Sequence, residues 1–533
     1  MAKIAVKIDI LDILTKKKEA LTLNKIRKEL RLSIQPKMLL RELNDLLDTN
    51  RIAREGTTNN AKYYIDEVLR YYKKFIFLYV HKDNEVAGYF IKLKDCYRFI
   101  YSTEFLINLS SEIATIPLDV KAYNYTELPP VFEENIPEGI NRDILETNTR
   151  ESDEFELLLK LEDNIGDLYF SKTTETFHSQ LKKGESYLNL LPEILATNKK
   201  IEVLDNINIK LDEIHLFPEN FDLTKLAIQK SDGISGFQYK KLVNLDFEKK
   251  EISAEDGKSK EYILKPYSKL KADPLNPHYF PHISINEHLF MSFAKNELDF
   301  RVPYSAIIKR DIDEEFHYIV KRFDRYGTHR FSKNTFAPFL GLVSSTKYDT
   351  SSEQIFKRIA KEIISPKERM ELLKHYVYSV IIVHEDMHVK NLSLIFEGGK
   401  VLFAPLYDIA CTGIYDTSKG FDSHISINGK QNNIRPNDFK PLCKLLNINF
   451  KSFKKEAYKI ASIYEERLPL YIEELKKLGK IPFYKAKIKK KIGEQGDWVR
   501  DKEPVDLTEV LEKFHKKQVS RLKELNWIIK ELD

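Results

Sequence analysis

The chain has 533 residues, 42% of them hydrophobic and 31% charged, with a formal net charge of +5. That length exceeds a single hydrophobic core and points to roughly three or four domains, and the small net charge excludes a polycation. Apolar runs such as the one around residues 380–383 fall far short of the roughly 20 residues that a membrane span needs, so no membrane segment is expected. MAKIAVKIDILDIL alternates charged with apolar residues and lacks the unbroken apolar stretch of a secretory signal. Cys96, Cys411 and Cys443 are few and scattered, and they read as reduced thiols of a cytoplasmic protein.

Residues 1–66 carry fourteen Lys/Arg against nine Asp/Glu, a surplus of five that equals the excess of the entire chain. Ile8, Leu11, Ile13 and Leu14 give a first amphipathic helix, and Thr22 caps a second over LNKIRKELRL. A third begins near Pro36 and carries Leu39, Leu40, Leu43, Leu46 and Leu47 at core spacing. RIAREG and AKYYI then flank TTNN as two short strands. This order predicts a small winged helix-turn-helix domain that binds duplex DNA. Gln35, Lys37 and Arg41 on the third helix would face a major groove, and Arg51, Arg54 and Lys62 would lie on the wing. A protein-interaction module with a solvated basic face has the same element order.

From Phe75 onward short strands are predicted over FIFLYVH, EVAGYFIKL and YRFIYS. The segment ENIPEGINRDIL follows at 134–145, and a helix is expected over 153–163. Residues 196–300 alternate strands with loops, 353–383 read as helical, and beyond 440 the chain reads as nearly continuous helix. The last region includes the basic tract KAKIKKKIG, a solvated surface.

HEDMHVKNLS, residues 384–393, supports two chemistries. His384, Glu385 and His388 spell H-E-x-x-H, a zinc-protease signature, whereas Asp386, His388 and Asn391 spell D-x-H-x-x-N, an acid five residues before an Asn as in kinase catalytic loops. A zinc protease needs both imidazoles one turn apart on a continuous helix. Here a helix leads in through ERMELLKHYVYSVIIV, but LSLIF, EGGK and VLFAPL form a hairpin straight after, which disfavours zinc. The kinase reading requires a second Asp beyond that hairpin to hold magnesium, and Asp408 in PLYDIA lies 22 residues after Asp386. Upstream, SDGISGFQYKKLVNL is a glycine-containing turn entering a strand, suited to phosphate oxygens, and YILKP places Lys265 in a short strand. The order phosphate loop, strand Lys, catalytic loop, metal Asp is what supports phosphoryl transfer.

With those residues in hand the chain resembles the HipA family of bacterial serine/threonine kinases, the toxins of toxin-antitoxin systems. SGFQYKK resembles the family's phosphate loop, INEHLFMSFAKNELDFRVPYSAII its N-E helix and following strand, and VKRFDR its hinge. FLGLVSSTKY, DMHVKNLSLIF, APLYDI and ENIPEGINRDIL complete the series in family order, over about residues 75–446.

The resemblance implies an α+β fold with a β-rich N-terminal lobe and a helical C-terminal lobe, preceded here by the winged-helix domain. It divides the chain into 1–66, a HipA-like N-terminal subdomain at 75–195, the kinase N-lobe at 196–325 and the helical C-lobe at 326–533. It implies Asp386 as acid-base residue, Asn391 and Asp408 as magnesium ligands, and His388 as support for the catalytic loop. ATP would be held by Ser235, Gly236, Phe237, Gln238, Tyr239 and Lys240, by Lys265, by the hinge Lys321, Arg322 and Phe323, and by His388, Lys390, Asn391 and Tyr407. Lys321 stands where the family usually has Glu, so side-chain contacts to adenine would differ. Gly233 stands where the family's autophosphorylated Ser often lies, leaving Ser235 as the loop serine. The family implies a protein substrate, of which aminoacyl-tRNA synthetases are examples, and an antitoxin partner. The alternative reading is a DNA-binding regulator whose kinase fold binds nucleotide with little turnover.

Overall fold

The computed structural model describes residues 2–57, 60–82, 85–108, 112–175, 186–195, 199–216, 231–233, 238–255, 260–267, 280–416, 418–489 and 497–529. At the N-terminus lie the helices Ala2–Lys17, Leu23–Glu29 and Pro36–Asp48. Thr22 caps the second, its hydroxyl oxygen accepting from the Lys25 N–H at 3.5 Å, and Pro36 opens the third with φ already near the helical value. Ile52–Glu55 and Lys62–Ile65 pair antiparallel, and Leu21–Thr22 joins the latter as a third strand.

Two details differ from the sequence expectation. Leu40 is 41% exposed, because with Leu39, Leu43 and Leu46 facing inward the next residue points about 100° away around the helix. Arg51 is wholly buried and not on the wing surface. Its Nε donates to the Val120 carbonyl at 3.2 Å and its Nη1 to Thr103 Oγ1 at 3.4 Å, so it ties this unit to the connection between the strands Tyr97–Tyr101 and Tyr123–Tyr125 of the following sheet.

That sheet is antiparallel, in the order Tyr123–Tyr125, Tyr97–Tyr101, Glu85–Lys92, Ile76–Lys82 and Tyr169–Ser171. Its buried face shares one hydrophobic core with the first three helices. The helix expected over 153–163 is shorter: Glu154–Leu157 makes one turn, Leu158–Lys160 tightens to a 3-10 turn, and Leu161–Asn164 becomes a strand parallel to Ser231–Gly233. A run as apolar as ELLLKL suits either element, and pairing with a distant strand decides it.

A second sheet of seven strands has the order Val203–Leu204, Ser305–Ile308, His317–Lys321, Tyr262–Lys265, Lys241–Asp246, Glu251–Ser253 and Asn208–Ile209. The helix Ile283–Leu298, buried along nearly its whole length, packs against it and against the helical part of the chain. There Pro366–Ile382, Phe450–Lys476 and Leu507–Glu524 enclose the largest core. The stretch 353–383 is broken between Ile359 and Pro366, where Pro366 starts a new helix. Beyond 440 the chain is not continuous helix: Pro482–Phe483 pairs with Val505–Asp506, and Ala486–Lys489 with Asp497–Arg500. The start of the basic tract is therefore a strand, as the alternation in KAKIK allows, and residues 490–493 of the tract lie outside the described residues. Among the described residues no helix is long and apolar enough to cross a membrane.

Replacing Arg51 by Ala removes two hydrogen bonds and leaves a void under the first unit, so a loss of roughly 2–4 kcal/mol is expected in chemical denaturation of the full chain. An unchanged midpoint would return Arg51 to the surface role that the sequence suggested.

Candidate functional site

A cavity of about 760 Å³ lies between the seven-stranded sheet and the helical part. Three segments bring charge into it. The strand Tyr262–Lys265 ends with Lys265, the helix Ile283–Leu298 contributes Glu287 from its first turns, and the segment after the hairpin Ser393–Glu397/Lys400–Phe403 delivers Asp408. Lys265 Nζ lies 2.6 Å from Glu287 Oε1 and 2.6 Å from Asp408 Oδ1. Burial pushes the Lys265 ammonium down, but the two carboxylates outweigh it and hold the group above its ordinary range. Asp408 is pushed up by burial and pulled well below the usual carboxylate range by Lys240 and Lys265. Lys240 Nζ stands 3.9 Å from Asp408 Oδ2. Asp408 itself has φ 55°, a left-handed conformation that an Asp tolerates better than most side chains.

The catalytic-loop segment begins where the helix Pro366–Ile382 stops. Val383 adopts φ 57°, which turns the chain out of the helix before His384. His384 and His388 are thus not one turn apart on a helix. His384 Nδ1 lies 2.9 Å from the Ala410 carbonyl oxygen, and the Glu385 carboxylate accepts from Ser418 Oγ and the Lys419 N–H. His384 and Glu385 are thus spent on local structure, whereas His388 lines the cavity.

Asp386 is exposed at the cavity, with the Tyr348 hydroxyl donating to its Oδ1. Asn391 is buried in a 3-10 turn. Its Oδ1 accepts from the His388 N–H at 3.0 Å, and its Nδ2 donates to Asp408 Oδ2 at 3.2 Å. The carboxylate of Asp408 is a hard oxygen donor that suits a magnesium ion, which takes one or two protein ligands beside phosphates, and the Asn391 amide, which now turns its Nδ2 to Asp408, would present its oxygen only after rotating. Among the described residues no group of three or more His, Cys, Asp or Glu side chains is gathered to hold a metal, which is the arrangement that zinc would need.

Lys390 is buried with its Nζ 2.6 Å from both Glu138 Oε1 and Ser344 Oγ, so the ENIPEG segment reaches into the catalytic loop. Tyr407 donates to the Lys390 carbonyl at 2.7 Å and meets the Phe323 ring at 5.3 Å. Lys333 Nζ lies over both rings, 5.8 Å from the centroid of Phe323 and 5.2 Å from that of Tyr407.

Lys321, Arg322 and Phe323 line the cavity. The Lys321 N–H donates to the Tyr304 carbonyl at 2.8 Å and the Arg322 N–H to the Glu261 carbonyl at 2.7 Å, so these two backbone donors are committed. The Arg322 guanidinium is also committed: it donates to Asp163 at 2.8 Å, to the Asn164 carbonyl at 2.8 Å and to Asp324 at 2.9 and 3.0 Å. Burial pushes Asp163 and Asp324 up, but the flanking guanidiniums of Arg322 and Arg325 hold both below the ordinary carboxylate range. Gly166 sits over this network with φ 76°, where a Cβ would come within 2.7 Å of the Lys333 carbonyl oxygen. Its N–H donates to Asp324 at 2.7 Å.

Of the remaining sequence candidates, Gln238 lines the cavity and donates to the Pro266 carbonyl at 2.9 Å, whereas Tyr239 is buried outside the lining. Ser235, Gly236 and Phe237 lie outside the described residues. Gln35, Lys37, Arg41 and Arg54 are all on the surface, with Arg41 paired to Glu42 at 2.8 Å. Sequence reasoning gave no role to Glu287, Glu138, Tyr348 or Lys333. The first three stand inside the quoted segments INEHLF, ENIPEG and FLGLVSSTKY, but Lys333 in an ordinary strand carries no signal.

A family model described as the HipA-like C-terminal domain matches residues 233–477, and one described as the HipA N-terminal domain matches 78–171. The chain belongs to the HipA-like family. Two Sinorhizobium fredii proteins share sequence with this HipA-like chain. "Putative kinase Y4mE" is 25% identical over 169 residues, 30% of this chain and 37% of the relative. "Putative kinase Y4dM" is 31% identical over 94 residues, 17% of this chain and 23% of the relative. The chain thus spans well under half the length of either. Among solved structures, HipA of a Shewanella oneidensis MR-1 HipA, HipB and operator DNA complex matches with TM-score 0.58 at 17% identity, covering 85% of this chain and 98% of that one. At that identity the match establishes the HipA fold.

Burial lowers His388 to about 4 from an ordinary 6.5. Its stabilising contribution is therefore complete above pH 6.5 and lost as pH falls toward about 4, because there the unfolded chain takes a proton that the folded one refuses. Denaturation at pH 7 and pH 5 should show a smaller acid loss in His388→Gln than in the wild type, by roughly 1–2 kcal/mol. Equal losses would mean that His388 is not held neutral.

Proposed function

We propose that the chain is an ATP- and magnesium-dependent serine/threonine protein kinase of the HipA type. The observation that carries this reading is the chain of contacts Glu287–Lys265–Asp408–Asn391 in one cavity with Asp386. Phosphoryl transfer is chiefly a matter of positioning and charge. Lys265 and Lys240 would meet phosphate oxygens, Asn391 and Asp408 would ligate magnesium, and Lys390 would face the transferred group after release from Glu138. Magnesium would supply charge neutralisation of the phosphates. As the acceptor oxygen bonds to the γ-phosphorus and the bond to ADP breaks, Asp386 takes the hydroxyl proton. Val320, Ile263 and the Phe323 and Tyr407 rings would form the base pocket, with backbone carbonyls of the hinge and the Phe323 N–H left for adenine. Ser235 belongs to the same reading as a loop acceptor, where a phosphate would add nearly two negative charges beside the nucleotide.

The protein substrate is of a class that includes aminoacyl-tRNA synthetases by family likeness, and an antitoxin partner is part of the proposal because the Shewanella neighbour lies in a complex with HipB. Residues 1–66 we read as a winged helix that contacts duplex DNA through Gln35, Lys37, Arg41 and Arg54. The support is the helix and strand order and the exposure of all four side chains. Met38 at 47% and Leu40 at 41% exposure on the same helix suit thymine methyl groups, or a protein surface.

Incubation with labelled ATP and magnesium tests the kinase reading. Asp386→Asn and Asp408→Ala should each reduce incorporation by at least about a hundredfold, in line with the worth of a general base or a metal ligand. A zinc-selective chelator should leave activity intact. Undiminished transfer in Asp386→Asn removes that residue from the reaction.

DNA binding is tested on the full chain. Titration of a duplex from its own locus should give an affinity that falls with salt, and Lys37→Ala with Arg41→Ala should lower the salt slope by about two. Salt-independent binding, or none at low salt, would assign this unit to protein contacts.

A further inference from the structure

The acceptor side of the cavity holds an occupant from the chain itself. Tyr348 follows the 3-10 turn Ser344–Thr346, and its hydroxyl donates to Asp386 Oδ1. The ring is fixed from two sides: its centroid lies 5.1 Å from that of His388, edge to face, and 4.4 Å from that of His424, tilted. Lys347 Nζ stands 5.6 Å from the same centroid. All these residues line the cavity that contains Lys265, Asn391 and Asp408. Burial first, and then the neighbouring Asp386 carboxylate, push the Tyr348 phenol up, so it stays protonated as a donor.

An ionised carboxylate only accepts hydrogen bonds, and a general base works by accepting one from the hydroxyl that it deprotonates. In this structure the hydroxyl so placed belongs to Tyr348. A phenol is a stronger donor than water or an aliphatic alcohol because its proton is the more acidic, so a free water competes poorly for that oxygen. A protein acceptor brings its hydroxyl together with other contacts, and these can displace the ring hydroxyl. We propose that the Tyr348 hydroxyl holds the acceptor seat on Asp386 in the free protein, a brake on phosphoryl transfer to water that a protein acceptor's hydroxyl must displace. The proposal rests on Asp386 being the base.

The test is ATP hydrolysis by the full chain with magnesium and no protein acceptor, in wild type, Tyr348→Phe, Asp386→Asn and the double variant. Phe keeps the ring between the two imidazoles and removes only the hydroxyl. Hydrolysis should rise roughly tenfold in Tyr348→Phe, the worth of one hydrogen bond to a charged group. Titration with a fluorescent ATP analogue should give unchanged affinity, and the double variant should lose the rise. Tyr348→Leu should show the same rise, since it lacks the same hydroxyl. Hydrolysis in Tyr348→Phe no faster than in wild type, with nucleotide bound, overturns the brake, as does a rise confined to Tyr348→Leu. Phosphotyrosine at 348 in the wild type also overturns it, because the occupant would then be an acceptor. Failure of the underlying reading is visible separately: a rise from Tyr348→Phe would then survive in the double variant.

Discussion

The site depends on one buried cation. Lys265 places an ammonium between Glu287 and Asp408, and an ammonium taken out of water needs such partners, because removing one leaves a desolvated charge that costs several kcal/mol. That requirement locks a strand of the seven-stranded sheet to the helix Ile283–Leu298 and to the segment after the second hairpin. The cavity is the space these three elements leave between them. The same contact holds Asp408 ionised, and an ionised carboxylate is what a divalent cation would bind.

A second network fixes the floor. Arg322 and Arg325 share Asp163 and Asp324 in a buried cluster, with the Asn164 carbonyl and the Gly166 N–H completing the hydrogen bonds. Such clusters add little net stability relative to an apolar core but are costly to break singly. The consequence is geometric: the loop 163–166 of the N-terminal subdomain is held against the hinge, so that subdomain and the cavity are one construction. Lys390 repeats the theme, with Glu138 reaching from the ENIPEG segment to the catalytic loop. The two halves matched by the HipA family models are thus joined by charge at the floor and at the wall of the site.

Much of this was legible from residues alone. The hairpin after HEDMHVKNLS, the strand position of Lys265 and the spacing to Asp408 are local patterns, and each stands where the periodicity put it. Errors arose where distant parts decide. Arg51 looks like a wing residue because Arg is normally solvated, yet it lies under Val120, a partner 69 positions away. Residues 153–163 read as one helix, yet Leu161–Asn164 at the end of that run pairs as a strand with Ser231–Gly233. KAKIK was absorbed into a helical region although its alternation is that of a strand.

By itself, then, the sequence determined the family, the strand that carries Lys265, and the helix and hairpin that flank HEDMHVKNLS and lead to Asp408, because hydrophobic period and turn chemistry act within a few residues. Only the tertiary structure decided what each charged group faces. It gave Glu287 and Asp408 to Lys265, Glu138 to Lys390, and Tyr348 to Asp386, and it withdrew Arg51 from the surface role that its type suggested. The reason is physical: a buried charge is placed by its counter-charge, and the counter-charges of Lys265 and Lys390 lie 22 to 252 positions away in the chain, beyond the reach of any local pattern.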